Sequence, residues 1–452
     1  MKSLVRENDQ VLTTSAPKRL HIITFGCQMN EYDSQRIAQM LMASHCLTPQ
    51  AEDADLIIVN TCSIREKAEH KLYSLLGRLK RLKRSNPALK LGVAGCVAQQ
   101  VGKKLFAKVP ELDFVVGPQG LYTIPQILER LDKGQKHISD TELTKDFTIP
   151  YIDAPLPKKG DVRAYVTIMQ GCDNFCTYCI VPYVRGREVS RPSDDILREI
   201  GQLVAQGVKD VTLLGQNVNS YGKGLDEGVD FPGLLKKIDA NFPQIRLRFT
   251  TSHPKDLSDE LIGCFGNLGT LCEHLHLPVQ SGSNRVLKRM NRHYTREQFL
   301  EKVQKLRQVC PDITITTDLI VGFPGETEED YQETLSLLEQ VRFDQAFAFK
   351  YSERPGTAAA RFKDKVPEEV KSKRLTKLLE IQNQIGLEQY GRFQGKVCEV
   401  LVEGCGQGGK LSARTRGNHV VNMEGGSDLV GRLMNVYIER ACHHSLVGTI
   451  VH

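Results

Sequence analysis

No stretch of this 452-residue chain approaches the roughly 20 consecutive apolar residues that a membrane-spanning helix needs. The N-terminal segment has basic residues but lacks the continuous apolar core of a secretory signal, so we expect a cytoplasmic protein with no membrane partner. Tryptophan is absent and aromatic residues make up only 6% of the chain, yet no low-complexity tract accompanies this scarcity. With 40% hydrophobic and 25% charged residues, the composition is that of a globular protein large enough for two or three domains.

A disulfide framework is also disfavoured. The chain has 13 cysteines, an odd number in a large protein without a secretory signal, which argues for reduced thiols and for metal ligands among them. The formal net charge of +6 is modest for this length, so it is compatible with a nucleic-acid partner without demonstrating one. The positions of the cysteines and charges therefore carry more information than their totals.

Three segments near the N-terminus share one pattern, in which an apolar run is followed by a cysteine and then by a polar stretch with helical periodicity. The apolar runs span 20–25, 56–60 and 91–94. The turns after them carry Cys27, Cys62 and Cys96. We interpret the runs as strands of an open parallel α/β sheet in an N-terminal domain over 19–135. The C-terminal ends of parallel strands share one edge, so we expect the three cysteines to converge.

Residues 136–157 are rich in proline and lack periodicity, which is typical of a linker. From 158 to 388, six apolar runs alternate with helical stretches such as 194–206 and 296–309. Six βα units predict a partial parallel (βα)6 barrel, whose reactive face is the C-terminal edge of its strands. The expected strands are 165–169, 210–214, 245–250, 274–277, 313–321 and 345–349.

Residues 389–452 change to short alternating strands punctuated by glycine and asparagine. This pattern predicts a small all-β barrel of OB-like size, a fold that often binds nucleic acid. The expected architecture is thus an open α/β sheet, a partial α/β barrel and a small β-barrel.

The first predicted barrel strand is followed at once by Cys172, Cys176 and Cys179, with the spacing Cys-x3-Cys-x2-Cys. A [4Fe-4S] cubane held by three thiolates leaves one iron open to a non-protein ligand, and an aminoacyl group can chelate that iron. A structural zinc site would want a fourth nitrogen or sulfur ligand from a second hook, and none lies at that spacing nearby.

By this motif the segment resembles the radical S-adenosylmethionine (SAM) superfamily, in which the amine and carboxylate of SAM bind the fourth iron. The resemblance implies that Cys172, Cys176 and Cys179 are both metal ligands and catalytic residues. Tyr178 matches the aromatic position that the superfamily places against the adenine.

For Cys27, Cys62 and Cys96 the alternative is that each is a small hydrophobic residue in a core. Three thiols at equivalent strand-end turns are poorly explained by packing, because a turn at the ligand edge is a poor place to bury a thiol. We therefore predict a second metal site with three thiolates. The remaining cysteines show no such spacing and are expected to be structural: Cys46, Cys264, Cys272, Cys310, Cys398, Cys405 and Cys442.

Further SAM contacts are expected at the ends of later barrel strands, where polar groups would anchor the ribose and carboxylate. A glycine there would let the backbone approach the adenine. Ordinary loop capping is the alternative explanation for the same residues. The candidates are Gln216, Asn217, Thr251, Ser252, Gln280, Ser281, Asp318 and Gly322.

Positive charge is concentrated in two segments. Residues 65–90 contain nine Lys or Arg against two Glu, and residues 285–307 contain eight against two Glu. Such a run is often only a solvated helix face. Both segments follow loops expected near the active edge, where the phosphates of a large substrate would lie.

The motifs extend a family resemblance over nearly the whole chain. They read TFGCQMNEYDS, VNTCSIREKAE, GCVAQQ, QGCDNFCTYCIVPYVRGREVSR, GQNVNSYG, TTSHP, HLPVQSGSNRVLKRMNR, DLIVGFPGETEED and YSERPGTAA. This set resembles the radical SAM methylthiotransferases, most closely the MiaB-type branch that acts on tRNA, and the C-terminal barrel resembles a TRAM domain. The residues that follow Cys62 and Cys27 are similar to the tRNA branch rather than to the branch that modifies a ribosomal protein.

The resemblance implies an enzyme that replaces the C2 hydrogen of an N6-dimethylallyl adenosine beside the anticodon with a methylthio group. It implies two [4Fe-4S] clusters and two SAM molecules, one as the methyl donor and one as the radical source. An unactivated aromatic C–H offers no acidic proton, which agrees with radical chemistry, and the base would have to be unstacked. The implied partners are the tRNA anticodon stem-loop, a one-electron reductant such as flavodoxin or ferredoxin, and a sulfur or cluster-repair donor, with the chain acting as a monomer.

Three other readings remain open at this point. The nearest is another methylthiotransferase branch, acting on an aspartate of ribosomal protein S12 or on threonylcarbamoyl-adenosine in tRNA, and only the residues flanking the cysteines argue against it. A non-catalytic iron–sulfur RNA-binding redox sensor is disfavoured by the complete barrel with an open-iron motif. A radical methylase that adds carbon would be separated by the absence of sulfur in its product.

Overall fold

The structure, a computed structural model, describes residues 17–62, 66–154 and 160–451, with side chains described for all of these except 66–70 and 407. Arg65 of the first basic segment, part of the predicted 136–157 linker and the predicted barrel start at 158 lie outside the described residues. Within the described ranges the chain forms three folded units, which confirms the predicted fold class. No helix among the described residues is long and apolar enough to cross a membrane.

The N-terminal unit is a parallel sheet covered by helices. Its strands are β1 (Lys18–Thr24), β2 (His45–Leu47), β3 (Leu56–Thr61), β4 (Lys90–Gly95), β5 (Phe114–Val116) and β6 (Ile138–Asp140). Its helices are α1 (Gln28–Leu41), α2 (Glu66–Ser85), α3 (Cys96–Val101), α4 (Lys104–Lys108) and α5 (Ile124–Asp132). Every residue of β3 is buried, because helices cover both faces of such a sheet.

All neighbouring strands of this sheet are parallel, in the order β2-β1-β3-β4-β5-β6. Thr24 pairs with Asn60, and Thr61 pairs with Gly95. The C-terminal ends of β1, β3 and β4 are therefore level with one another, and the turns that follow them share one edge of the sheet.

The central unit is a six-stranded partial barrel. Its strands and a small antiparallel pair are β7 (Arg163–Thr167), β8 (Met169–Gln170), β9 (Val189–Ser190), β10 (Asp210–Leu214), β11 (Arg246–Phe249), β12 (His274–His276), β13 (Thr314–Val321) and β14 (Gln345–Lys350). The parallel strands pair as β7-β10-β11 and β12-β13-β14, and a parallel bridge from Leu247 to Leu271 joins the two groups. The prediction of six βα units is confirmed.

Helices cover the outside of this barrel. The helices of this unit are α6 (Val181–Val184), α7 (Ser193–Ala205), α8 (Phe231–Asn241), α9 (Asp259–Asn267), α10 (Asn284–Arg289), α11 (Arg296–Val309), α12 (Glu328–Val341) and α13 (Glu368–Gly391). Leu319 and Val321 of β13 join the core beneath these helices, so the alternate residues Asp318 and Ile320 face the barrel interior. The boundary expected between 388 and 389 falls inside α13.

The C-terminal unit is a closed barrel with the strand order β15-β16-β17-β19-β18. Its strands are β15 (Val397–Cys405), β16 (Leu411–Thr415), β17 (Val420–Met423), β18 (Leu433–Ala441) and β19 (Leu446–Ile450). Arg248 pairs with Asp210 at 2.8 Å and donates to the carbonyls of Thr415 and Arg416 at 2.9 and 2.7 Å. Asp210 begins β10, so the small barrel docks on the N-terminal edge of the central barrel and leaves its C-terminal edge open.

A buried charged network joins the N-terminal unit to the central barrel. Glu199 of α7 is fully buried and forms ion pairs with Arg191, at 2.7 Å, and with Arg36 of α1. Arg36 also donates to the carbonyls of Ile152 and Asp153 at 2.7 Å, which fixes the end of the connecting segment. These contacts hold α1, and the turn that carries Cys27 before it, against the barrel.

Candidate active site with two cysteine triads

The first triad consists of Cys27, Cys62 and Cys96. Cys62 and Cys96 directly follow β3 and β4, and Cys27 lies three residues after the end of β1. Cys27 is the N-cap residue of α1, and Cys96 begins α3. Gly26 has a φ of +133°, and a Cβ built there would lie 2.3 Å from the Cβ of Cys62. Glycine is therefore required at this turn, because it lets the Cys27 and Cys62 loops touch.

The surroundings of the first triad shift the pKa values of its thiols in different directions. A hydrogen bond with Cys62 lowers the pKa of Cys27 to about 6, and the charge of Arg185 acts in the same direction. Burial raises the pKa of the Cys96 thiol, although Arg185 opposes the shift. The three thiols thus share one pocket with a cation, an environment that favours thiolates as metal ligands.

Arg185 links this pocket to the second triad. Its guanidinium is 3% exposed and donates from Nη2 to Asp33 at 2.7 Å and to Asn30 at 3.4 Å. Its Nη1 is buried and has no hydrogen-bond partner among the described residues. Arg185 caps the C-terminal end of the short helix α6, and Val184 of that helix lies in one buried apolar cluster with Cys96 and Ile180.

The second triad, Cys172, Cys176 and Cys179, lies in the loop between β8 and α6, at the C-terminal edge of the barrel. The amide of Cys172 donates to the carbonyl of Gly186 at 3.3 Å, and that of Cys179 to the carbonyl of Cys176 at 2.9 Å. Gly171 has a φ of +83°, and a Cβ there would lie 1.9 Å from the backbone oxygen of Arg187. The loop therefore folds back on itself so tightly that only glycine fits at its start.

Burial dominates the electrostatics of the second triad. It raises the pKa of Cys172 to about 11 and that of Cys179 to about 12, and the neighbouring Cys176 adds to both shifts. Ionising buried thiols next to one another is costly unless a cation lies among them. A metal centre supplies that cation, so its binding would release protons from the loop.

Two of the SAM candidates keep unsatisfied polar atoms inside the protein. Asn217 is 2% exposed and donates to Asp256 at 2.7 Å, while its Oδ1 has no partner among the described residues. Ser252 is 5% exposed, and its hydroxyl also lacks a partner. Buried polar atoms are rarely left unpaired, so this edge of the barrel fits a polar ligand.

Two other SAM candidates, Gln216 and Asp318, differ in whether their polar atoms are already used within the protein. Gln216 accepts a hydrogen bond from the Gly171 amide at 2.5 Å and so supports the second triad. Asp318 lies 3.5 Å from Nε2 of His276, and its side chain is 31% exposed toward the barrel interior. Both residues lie at the C-terminal edge of the barrel. Gln216 holds the loop of the second triad in place, whereas the carboxylate of Asp318 is partly accessible to a ligand.

The last five candidates also lie near strand ends. Tyr178 packs against an apolar cluster and receives a contact from Arg292 at 3.5 Å. Ser281 is fully buried and accepts from the Ser283 amide, so its hydroxyl serves the loop. The positive-φ positions are Thr251, Gln280 and Gly322, with φ of +69°, +71° and +69°.

The arrangement of thiols fits a cluster better than a single ion. The described residues contain no group of three or more His, Cys, Asp or Glu side chains that could hold one metal ion. A zinc site needs such a group around one centre, whereas a cubane binds each thiolate through a different iron. Three thiolates in each triad match the three protein ligands of a cubane that keeps one iron open.

Sequence reasoning missed the arginines of the site. Arg185 and Arg292 are both buried and both touch the surroundings of a cysteine triad. A cysteine spacing can be read along the chain, but the burial of a charged side chain depends on how distant segments pack. The only signal for Arg185 was its position shortly after Cys179.

The second basic segment, 285–307, is largely engaged in ion pairs and hydrogen bonds, many of them at the protein surface. Arg285 pairs with Asp330, and Arg289 pairs with Asp364. The remaining contacts of this segment run from Arg296, Lys302, Lys305 and Arg307 to carbonyl or carboxylate oxygens. Arg285 and Lys305 nevertheless keep side chains that are 51% and 40% exposed, so contact of this segment with substrate phosphates stays a prediction. In the first segment, Lys80, Lys83, Arg84 and Lys90 also pair with carboxylates.

Three family models match the chain in sequence order. An uncharacterised family, UPF0004, matches residues 19–117, the radical SAM superfamily matches residues 166–338, and the TRAM domain matches residues 391–451. The three matches fall on the three folded units, and the second includes the whole Cys172–Cys179 loop.

Full-length relatives share about half of their residues with this chain. A tRNA-2-methylthio-N6-dimethylallyladenosine synthase of Syntrophobacter fumaroxidans is 52% identical over 444 residues, covering 97% of each chain. A synthase of the same name from Carboxydothermus hydrogenoformans is 50% identical over 441 residues, covering 96% of this chain and all of the other.

Solved structures share the fold at low identity. The radical SAM methyltransferase TsrM from Kitasatospora setae, with tryptophan and a SAM analogue bound, has a TM-score of 0.60 and 12% identity over 76% of this chain and 75% of that one. The cobalamin-dependent radical SAM enzyme OxsB has a TM-score of 0.54 and 14% identity over 82% of this chain and 56% of that one. These likenesses concern the arrangement of elements alone.

Proposed function

We propose that this chain, which belongs to the radical SAM superfamily and to the tRNA-2-methylthio-N6-dimethylallyladenosine synthases, divides its reaction between two cysteine triads. It is a radical SAM methylthiotransferase that uses SAM and a [4Fe-4S] cluster and acts on tRNA. The product carries a methylthio group at C2 of N6-dimethylallyladenosine. The position of Arg185 is the observation that supports this division of the reaction. Arg185 follows the second triad in sequence and lies in the pocket of the first triad.

Cys172, Cys176 and Cys179 would hold the radical SAM cluster. When bound, that cluster supplies the electron that splits SAM into methionine and a 5′-deoxyadenosyl radical. Asn217 and Ser252 would anchor SAM through their unpartnered buried oxygens. This assignment is supported by the open barrel edge at which all of these residues lie.

The other candidates would complete the SAM site. Tyr178 would pack beside the adenine, and Gly322 would allow its close approach. Asp318, with His276 behind it, would accept from ribose hydroxyls because its side chain is partly open to the barrel interior. The remaining candidates would act by holding the loops in place; they are Gln216, Thr251, Gln280 and Ser281.

Cys27, Cys62 and Cys96 would hold a second [4Fe-4S] cluster, the one concerned with sulfur transfer. Support comes from their convergence in one buried pocket with a cation and from the contact between that pocket and the radical SAM loop. The ion pair between Arg185 and Asp33 would hold the two cysteine triads in a fixed position relative to each other. The target base could then meet both without leaving the site.

The domain roles follow the same division. We assign the N-terminal unit to the sulfur centre, the central barrel with α13 to the radical SAM reaction and the C-terminal barrel to tRNA binding. The N-terminal unit extends through β6 to Asp140, past the expected end at 135, so the linker of 136–157 shortens to the residues after β6. We further assign an anticodon stem-loop as the bound part of the tRNA, a flavodoxin- or ferredoxin-type reductant, a sulfur or cluster-repair donor, a monomeric state and a cytoplasmic location.

The direct test is product analysis with the anaerobically reconstituted protein, SAM, reductant and prenylated tRNA. Mass spectrometry of the digested nucleosides is expected to show a methylthio-adenosine together with 5′-deoxyadenosine. If 5′-deoxyadenosine forms while the tRNA is unchanged, the substrate assignment fails and a ribosomal protein becomes the next substrate to test. If neither product forms in protein that holds both clusters, the catalytic assignment fails and a sensor role is favoured.

A further inference from the structure

Arg292 lies in the segment between α10 and α11 and is 4% exposed. Its Nη1 contacts Sγ of Cys176 at 3.6 Å and the hydroxyl of Tyr178 at 3.5 Å. Its Nε donates to the hydroxyl of Tyr294 at 3.2 Å, and its Nη2 donates to the carbonyl of Pro278. The guanidinium is thus pinned on every side and directed at one sulfur of the second triad.

Arg292 differs from every other buried arginine in the described part of the chain. Six such arginines each form an ion pair with a carboxylate: Arg36, Arg185, Arg191, Arg246, Arg248 and Arg374. Arg292 has no carboxylate partner among the described residues, and its contacts are a sulfur, two phenols and a carbonyl.

A buried guanidinium without an opposite charge is strongly unfavourable, because it has lost its hydration and gained no ion pair in return. The guanidinium cannot relieve this cost by losing a proton, because arginine stays protonated in proteins. A negative group that the protein chain itself does not provide would remove the imbalance. Three cysteine thiolates on an iron–sulfur core form such a group, and they meet Arg292 at Cys176.

We propose that Arg292 is the counter-charge of the iron–sulfur cluster held by Cys172, Cys176 and Cys179, and that it raises the reduction potential of that cluster. This proposal rests on the proposed function, which assigns a cluster to this triad. One-electron reduction, by a dithionite- or flavodoxin-type donor, adds one negative charge to the cluster. A fixed positive charge at contact distance stabilises the reduced form more than the oxidised form, so Arg292 is a positioning residue that acts through Cys176.

The test compares Arg292→Gln and Arg292→Lys with the wild-type full-length holoenzyme. Arg289→Gln is the matched control, because it also removes a guanidinium near the loop, but its partner is Asp364 and it contacts no cysteine sulfur. The radical SAM cluster is identified as the one whose EPR signal changes when SAM is added. The ratio of reduced to oxidised cluster is then measured at a fixed dithionite-poised potential.

At the potential that half-reduces the wild-type cluster, we expect this ratio to fall about tenfold in Arg292→Gln, equivalent to about 59 mV for one electron. Arg292→Lys keeps the charge and is expected to stay near wild type, as is Arg289→Gln. An unchanged ratio in Arg292→Gln with full iron content would overturn the proposal. A loss of SAM affinity at unchanged potential would also overturn it, because Arg292 would then serve SAM and not the cluster.

A failure of Arg292→Gln to assemble the cluster is also decisive when Arg292→Lys is compared. Retained iron in the lysine variant would support the need for charge, whereas loss of iron in both would show that shape alone matters and would contradict the proposal. Failure of the proposed function is recognised separately, because the wild-type protein would then show no SAM-sensitive cluster.

Discussion

Arg185 donates from Nη2 to Oδ2 of Asp33 over 2.7 Å, with both side chains buried. Arg185 belongs to the segment that follows Cys179, and Asp33 belongs to the helix that begins directly after Cys27. The ion pair therefore joins the loops of the two cysteine triads through one short contact. A rigid link of this kind suits a reaction in which the same substrate must be reached from both cysteine triads.

Replacing Asp33 with asparagine is expected to destabilise the apoprotein by about 3–5 kcal/mol, because it leaves the Arg185 guanidinium buried without its counter-charge. The measurement is the denaturant midpoint of the transition that unfolds the N-terminal unit. Asp53→Asn is the control, since Asp53 pairs with Arg19 at 3.7 Å on the surface and such a pair contributes about 0–1 kcal/mol.

A double variant checks the cause of that loss. Removing both charges, with Asp33→Leu and Arg185→Met, is expected to recover much of the stability, because neither buried group is left unpaired. Equal damage in the single and double variants would show that the ion pair is not the source of the effect.

Glu199→Gln is expected to loosen the N-terminal unit from the barrel, because Arg36 and Arg191 would share a buried pocket without a negative charge. Limited proteolysis within 136–157 should become markedly faster, since Arg36 also holds Ile152 and Asp153. The control is Glu260→Gln, which removes an exposed partner of Lys236. Equal cleavage rates in wild type and Glu199→Gln would contradict the assigned role of the network.

The parts of this fold that could be predicted from the sequence are those with dense local signals. Strands buried on both faces, such as Leu56–Thr61, read as continuous apolar runs. Convergence of the first triad then follows from parallel topology alone. The three-residue strand His45–Leu47 was missed, because its residues are half-buried or exposed and show no apolar run.

The buried charges could not be predicted in the same way. The charge of the run 285–307 predicts a basic surface, yet Arg292 is buried, and Arg285 and Arg289 form ion pairs with Asp330 and Asp364. Whether a cation faces water or a carboxylate depends on segments far away in sequence, such as Asp330 and Asp364. Periodicity within the run carries no information about those partners.

Asn217→Ala is expected to weaken SAM binding by about two- to tenfold, since it removes one hydrogen bond to a polar ligand, worth about 0.5–1.5 kcal/mol. Ser252→Ala should act similarly and for the same reason. Equilibrium dialysis with the reconstituted, unreduced protein measures the affinity without turnover. Asn267→Ala, at the exposed end of α9, is the control, and equal affinities in all variants would remove both residues from the SAM site.

The central claim is that the two triads hold two different clusters with separate duties. The most direct measurement compares iron content and 5′-deoxyadenosine formation in Cys27→Ala, Cys172→Ala and the buried control Cys264→Ala, all reconstituted anaerobically. We expect each of the first two variants to lose about half of the iron and Cys264→Ala to lose none. Cys172→Ala should form no 5′-deoxyadenosine, whereas Cys27→Ala should still form it without modifying the tRNA. Full iron in Cys27→Ala, or 5′-deoxyadenosine from Cys172→Ala, would contradict the claim.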